Sequence, residues 1–596
     1  MCRIAGIYNP SSGSLAQDML KMRDSMKHGG PDDEGVFIHA TFPLAFGHRR
    51  LSLIDLSSAG HQPMHFSERG LSVVFNGEIY NYRELRNTLL SKGYQFNTSS
   101  DTEVILMAYA HWGVDCFEFM NGMFAIAIWD EKNHEIILAR DHAGIKPLYY
   151  FISDNQFVFA SEIRAFNYSG IAFEEHHQWQ TAFLAFGHLP EPVTTLKDVV
   201  PLEKGTTLKI SVPSLKTEKH TFFRWDFSAE LRVEEEALPL IRETLEESVK
   251  RHMISDAPLG LFLSGGIDSS LLALIATKYK KDIHSLSIVF NEKKYSEEYY
   301  QQIIIEKTKV IHQSYLVTQK EFNENLSDAL LAMDQPSLDG INTYFISKYA
   351  KQSGLKAVLS GLGADELFGG YPSFYNQKRI RVLQLLPDRL LLSLQLFPDY
   401  RLRKLSYAGL HNPAAEYLTY RGIFSPKAIA ALLGMYENEV VSDITDIASV
   451  YPSPELKREN RVSWLETNFY MQNQLLKDAD YMSMWHGLEI RVPFLDKELM
   501  MVTAQVESGL KYNHTLPKYL LVKSYQDILP KEIWNREKQG FTFPFDNWLK
   551  ENQYSKPTNQ FETKLYSKFK KGSLSWGRYW CGLLMNRFSE KMSHAA

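Results

Sequence analysis

GLFLSGGIDSS, residues 260–270, is an apolar run that meets two glycines, an acid and three hydroxyls. Leu261, Phe262 and Leu263 suit a buried parallel strand, while Leu271, Leu272, Leu274 and Ile275 read as the buried side of a helix. The order is strand, glycine turn, helix N-terminus. Gly265 and Gly266 have no Cβ, so backbone N–H groups can approach a ligand closely, and the first helical turn adds unpaired donors and a partial positive charge. Such a turn cradles an anion. Ser264, Ser269 and Ser270 would add hydroxyl donors to phosphate oxygens. Asp268, which phosphate alone would repel, makes sense as a ligand of a bridging Mg²⁺. These residues predict a metal-bound polyphosphate; the plainer alternative is a βα turn whose serines cap a helix.

No Gly-Lys dipeptide occurs in the chain, and the GxGxxG spacing is missing at this turn, so neither common nucleotide loop is present here. The stretch resembles instead the SGGxDS pyrophosphate loop of enzymes that split ATP into AMP and pyrophosphate to activate a carboxylate or carbonyl.

At 596 residues the chain is too long for one core and should divide into at least two domains. A formal net charge of -5 gives no field for bulk nucleic-acid binding, so cations that meet ATP must be concentrated locally. Three scattered cysteines, Cys2, Cys116 and Cys581, form neither a disulfide framework nor a zinc site, which fits a reducing cytoplasm. The N-terminus lacks the apolar core of a secretory signal. The leucine-rich stretch 380–396 is broken by Arg381, Pro387, Asp388 and Arg389, so a packed helical pair is expected there and no membrane span.

Cys2 poses a second chemical question. Removal of the initiator methionine would place its thiol beside a free α-amine. Such an amine has a pKa of about 7.7 to 8.0 and can take the thiol proton directly or through water, so one residue supplies nucleophile and base. A chance cysteine is the plain alternative. Three stretches support the chemistry: HRRLSLID at 48–55, VFNGEIYNY at 74–82 and TSSDTEVI at 98–105. Asn76 and Gly77 are expected in a turn after a strand 71–75, where an amide side chain and a neighbouring N–H can bind an oxyanion together. Arg50 can pair with a ligand carboxylate and Asp101 with a ligand ammonium, which are the two charged ends of an amino acid.

Cys2, the Arg50 stretch, NGE at 76–78 and SSD at 99–101 resemble a class II glutamine amidotransferase. Joined to the SGGIDSS loop, the chain resembles the glutamine-hydrolysing asparagine synthetase family, from Cys2 to about residue 545. The resemblance implies an N-terminal-nucleophile αββα sandwich at 2–213, a linker at 214–232, and an α/β ATP-pyrophosphatase lobe with a parallel sheet at 233–590. It implies glutamine binding by Arg50, Asn76, Gly77, Glu78 and Asp101. For ATP and pyrophosphate it implies Ser264, Gly265, Gly266, Asp268, Ser269 and Ser270, Ile288 on a strand 284–290, Ser360 and Gly361 of SGLGADELFGGY, and Lys518 of LPKYLLVKSY. Asp268 and Asp365 would share Mg²⁺. The partners implied are glutamine, ATP and a carboxylate acceptor, with no nucleic acid and with a homodimer allowed.

The chain departs from the family pattern twice. Gly29 of HGGPD stands where the family usually has arginine, so the loop is expected to lose a cation; Leu362 stands where a glutamate is common, so that acid's role is lost or displaced. Arg491 and Asp496 are expected to form an internal ion pair, and the REKQGFTFPF loop, 536–545, to wall the acceptor pocket. The implied reaction has Cys2 release ammonia from glutamine, with the oxyanion on Asn76 and Gly77. A carboxylate then attacks the α-phosphate of ATP, and ammonia displaces AMP. Aspartate is the first acceptor and another carboxylate, such as a sugar (uronic) acid, the second. A β-lactam-synthetase-type cyclase and a non-catalytic regulatory homologue are remoter, because Cys2, Asp268 and Asp365 all remain.

Overall fold

The structure is a computed structural model that describes residues 2–595 except 452–454, 457, 514, 539, 541 and 552–556. Two antiparallel sheets form the first lobe. One runs in the order Val200–Pro201, Tyr149–Ile152, Phe157–Ala160, Arg3–Tyr8, Leu44–Arg50, Asp33–Ile38. The other runs Lys216–Thr221, Thr206–Ser211, Glu135–Arg140, Gly122–Asp130, Leu71–Ile79, Met64–Phe66. Side chains alternate between faces along each strand, and here both faces are buried. Val74 points inward to Ile4, Phe46 and Phe159 of the facing sheet, while Val73 and Phe75 point outward to Val104 and Ile105 of the helix Asp101–Trp112. On the other side, Ala5 and Ile7 meet Met19 and Met22 of the helix Leu15–Asp24. The result is the expected αββα sandwich.

Two expectations for this lobe change. Asn76 and Gly77 do not lie in a turn: the strand Leu71–Ile79 runs through them. Gly77 has φ +149°, and a Cβ there would sit 1.9 Å from the Met123 carbonyl oxygen, so this glycine admits a neighbouring strand and does not end its own. The stretch read as a linker from 214 begins with a strand, because Lys216–Thr221 pairs with Thr206–Ser211. Its residues, KTEKHT, are nearly all exposed; a charged, lysine-bearing edge strand blocks further pairing and reads locally as a linker.

The second lobe is built on a five-stranded parallel sheet in the order Ile311–Leu316, His284–Val289, Leu259–Phe262, Ala357–Leu359, Glu489–Arg491. Strand order reverses between Leu259–Phe262 and Ala357–Leu359, and ligands of such sheets bind where the loops leave the strand ends at that switch point. The helix Glu234–His252 carries an apolar stripe that buries Ile241, Leu245 and Val249 completely.

Buried polar contacts join the lobes. Asn121 Nδ2 donates to Asp496 at 3.2 Å, His142 Nε2 lies 2.7 Å from the Leu495 carbonyl oxygen, and Lys146 Nζ reaches Asp480 at 3.2 Å. Arg491 and Asp496 do not pair with each other. Arg491 Nε meets Glu489 at 2.5 Å on its own strand and its Nη2 lies 3.5 Å from Glu78 of the first lobe, while Asp496 faces Arg251 at 3.7 Å. The alternation of side chains puts residues two apart on one face, which favours Glu489 over Asp496. The space over Gly29 is taken by the fully buried Arg3 of the strand Arg3–Tyr8, which passes so close that a Cβ on Gly29 would lie 2.7 Å from Arg3 Cγ.

Leu261, fully buried in the central strand of the parallel sheet, sets the strand's depth. Leu261→Ala should destabilise the second lobe by about 2–5 kcal/mol, read as a lower denaturant midpoint by circular dichroism.

Candidate active site

The first set of predicted residues converges at one end of the sandwich. Cys2 is buried at the start of the strand Arg3–Tyr8; its backbone N–H donates to Asn76 Oδ1 at 3.3 Å, and Asn76 Nδ2 lies 3.5 Å from Ser161 Oγ. Burial pushes the Cys2 thiol up, opposed by the positive amino terminus and by Arg50. Arg50 is anchored from behind: Nη1 donates to the Ser57 carbonyl at 2.8 Å and Nη2 to that of Asp55 at 2.5 Å. Gly60 makes room for this guanidinium, since a Cβ there would lie 2.0 Å from Nη2. Asp101 opens its helix and accepts from the Ile79 N–H at 3.0 Å, and burial raises its carboxyl to about 6. Glu78 differs from the others in facing the lobe joint, where burial pushes its carboxyl well up despite Arg491.

The second set lines a cavity of about 910 Å³ at the switch point of the parallel sheet. Ser264, Gly266, Asp268, Ser269, Ile288, Ser360, Gly361, Asp365 and Lys518 all contribute to its wall. Gly265 has φ +79°, a backbone open to glycine at no cost, and its carbonyl accepts from Arg536. Ser264 and Ser269 share a 3.0 Å hydroxyl contact, and the helix Ile267–Tyr279 begins at Gly266 without a side-chain cap, leaving its first N–H groups for a ligand. Ser270 corrects the expectation of a third hydroxyl donor. It is fully buried and does not line the cavity, because one more step of helix turns its side chain from the ligand to the core.

The two loops meet closely: a Cβ on Gly361 would be 2.8 Å from Asp268 Cβ. Lys518 Nζ stands between the acids, at 2.5 Å from both Asp268 oxygens and 2.6 Å from Asp365 Oδ1. Its backbone is left-handed at φ +48°, a conformation non-glycine residues seldom adopt, held here at the start of the helix Tyr519–Ser524. Burial alone would raise Asp365, but Lys518 and Lys538 outweigh it and bring the carboxyl to about 2. Burial pushes Asp268 up against the pull of Lys518. Two carboxylates converging on one cation fit a divalent metal, and the serine hydroxyls, open helix start and lysines fit polyphosphate.

Sequence reasoning missed several residues of this cavity. Lys538, half exposed, reaches Asp365 at 2.6 Å, and Arg536 pairs with Glu297 at 2.7 Å; both belong to the loop expected as the acceptor wall, of which Gln539 and Phe541 lie outside the described residues. Glu366 is a second acid of the SGLGADELFGGY stretch. It lines the cavity, accepts from the Tyr371 hydroxyl at 2.7 Å, and leaves Oε2 without a hydrogen bond among the described residues. Asp339 also lines the cavity, as does Leu362. Leu362 and Glu366 are near each other in the chain, but only the folded structure brings Asp339 to the same cavity.

The pattern described as glutamine amidotransferase domain matches residues 1–223, and the pattern described as asparagine synthase matches residues 240–562. The chain belongs to the asparagine synthase family. It is 33% identical over 563 residues to asparagine synthetase (glutamine-hydrolyzing) 1 of Bacillus subtilis (strain 168), covering 92% of this chain and 88% of that protein. Similarity to asparagine synthetase (glutamine-hydrolyzing) 3 of the same organism is 29% over 573 residues, covering 91% and 87%. It is also 27% identical over 601 residues to amidase chry2 of Gibberella zeae, covering 91% and 87%. This asparagine synthase family member is thus a ligase of the glutamine-dependent amidation type, and ATP use follows from the family. No described helix is long and apolar enough to cross a membrane.

Burial raises the Glu366 carboxyl from 4.5 to about 7, helped by Asp365. A carboxyl with a higher pKa folded than unfolded stabilises the protein below the unfolded value, and that contribution fades as pH rises through the folded one. Glu366→Gln should therefore flatten the decline in unfolding midpoint between about pH 4.5 and 7 relative to the unchanged protein, a difference readable by thermal melts across that window.

Proposed function

We propose that this chain hydrolyses glutamine at Cys2 and uses the ammonia to amidate aspartate, activated by ATP with release of AMP and pyrophosphate. The α-amine freed by methionine removal would take the thiol proton, and Cys2 would attack the amide carbon of glutamine to give a thioester and ammonia. Asn76 and Gly77 would hold the oxyanion, Arg50 the glutamine carboxylate and Asp101 its ammonium. In the second lobe, the uncapped start of the helix Ile267–Tyr279, with Ser264 and Ser269, would bind the pyrophosphate end of ATP, assisted by Lys518. Asp268 and Asp365 would hold Mg²⁺, which when bound offsets the charge of the departing pyrophosphate. The acceptor carboxylate attacks the α-phosphate, and ammonia then attacks the acyl carbon and expels AMP. The observation that carries this reading is Lys518 between Asp268 and Asp365 at the sheet's switch point.

The choice of aspartate rests on the cavity's acids. Leu362 removes the glutamate common in the family, but Asp339 and Glu366 line the same cavity and can meet an ammonium. Leu362 itself favours a second reading, in which an apolar patch beside those acids admits another carboxylate such as a uronic acid. ATP-dependent AMP formation should saturate with aspartate and remain near background with glucuronate or galacturonate. The reverse order would move the assignment to the sugar acid.

Cys2→Ala should abolish glutamine hydrolysis while ammonium chloride still supports product formation. Asp268→Asn should do the opposite, stopping AMP release and sparing glutamate release. Equal loss of both activities in both variants would show that the two chemistries are not divided between the lobes in this way.

A further inference from the structure

Arg3 directly follows the proposed nucleophile, and its guanidinium lies wholly inside the joint between the lobes. Nε donates to Glu162 at 2.6 Å in the first lobe, and Nη1 lies 2.7 Å from Asp480 on the helix Leu476–Met484 of the second. Each acid is held again from the side. Glu162 meets His28 at 2.9 Å and Arg164 at 2.8 Å, and Asp480 meets Lys146 at 3.2 Å. Arg164 continues the chain to Asp334 at 3.3 Å and faces the Trp485 ring at 5.4 Å, both in the second lobe. The helix that carries Asp480 starts beside Leu475, which lines the ATP cavity, and its Asp478 accepts from Ser337 at 2.6 Å.

Arg3 also fills the space over Gly29: entering from the strand that follows Cys2, it passes so close that a Cβ on Gly29 would lie 2.9 Å from Arg3 Nε as well as 2.7 Å from Cγ. Two arginines cannot share this space. A guanidinium on the nucleophile strand differs in one physical respect from one on the loop: it is separated from Cys2 by a single peptide bond.

We propose that Arg3 is a positioning residue that couples occupation of the glutamine site at Cys2 to the Asp480 helix, which runs on from Leu475 of the ATP cavity's wall. A shift of Cys2 on binding moves the guanidinium against two acids fixed to different lobes, and in a joint closed to water that displacement passes to the Asp480 helix. The proposal rests on the glutaminase reading above.

The test uses the full-length chain carrying Cys2→Ala, so that glutamine can bind without turnover, and measures amide hydrogen exchange with and without saturating glutamine. Glutamine should protect the segments containing Arg50 and Asn76 and also the helix Leu476–Met484. Adding Arg3→Met should keep the first protection, lose the second, and weaken glutamine binding by about fivefold or more. Arg3→Lys, which keeps the charge, should retain part of both effects. The transposed pair Arg3→Gly with Gly29→Arg should restore helix protection that Arg3→Gly alone lacks. Unchanged helix protection in Arg3→Met, or a transposed pair no better than Arg3→Gly, overturns the coupling. Faster exchange throughout both lobes of Arg3→Met without glutamine would reduce Arg3 to a structural ion pair and also overturn it. Failure of glutamine to protect the Arg50 and Asn76 segments would refute the glutaminase reading itself, and the coupling with it.

Discussion

The second lobe depends on one ammonium. Asp268 and Asp365 leave neighbouring parallel strands and are brought together where water is largely excluded; without a cation between them, two carboxylates so placed would repel. Lys518 supplies that cation from a backbone conformation that is itself unfavourable, and Gly370 accepts the crowding, since a Cβ there would lie 1.7 Å from Asp365 Oδ1. The strand order, the glycine turns and the left-handed lysine are thus parts of one electrostatic arrangement.

The joint between the lobes follows the same logic at larger scale. Arg3, Lys146 and Arg164 from the sandwich meet Asp480 and Asp334 from the second lobe, and Arg491 returns the favour toward Glu78. Buried ion pairs contribute little net stability compared with apolar packing, but removal of one partner leaves an uncompensated charge. The ion pairs run beside an apolar cluster that is itself continuous across the lobes, from Leu51 and Phe183 to Leu261 and Leu495. In the proposed reaction, where ammonia passes between sites, the strand Arg3–Tyr8 and the cavity are thereby held relative to each other.

Acceptor choice sits at the opposite extreme. In the proposed reading it turns on three residues that line one cavity, Leu362 and Glu366 from the same stretch and Asp339 from a distant one.

Much of the fold was legible in the chain itself. The apolar run into SGGIDSS dictated strand, turn and helix because glycine pairs and helix starts are local events, and Cys2, Arg50, Asn76 and Asp101 were singled out by residue type for the chemistry proposed. Where the local reading failed, distance in sequence was the cause. Gly77 looked like a turn because its neighbour, Met123, is in another strand; KTEKHT looked like a linker because an exposed edge strand carries linker chemistry; Ser270 looked like a ligand donor although helix rotation turns it inward. The partners of Arg491, the filling of Gly29's space by Arg3, and the cluster of Lys518, Lys538, Asp268 and Asp365 were decided only by tertiary structure, because a charge's partner is set by which buried surfaces close on it and not by its position along the chain.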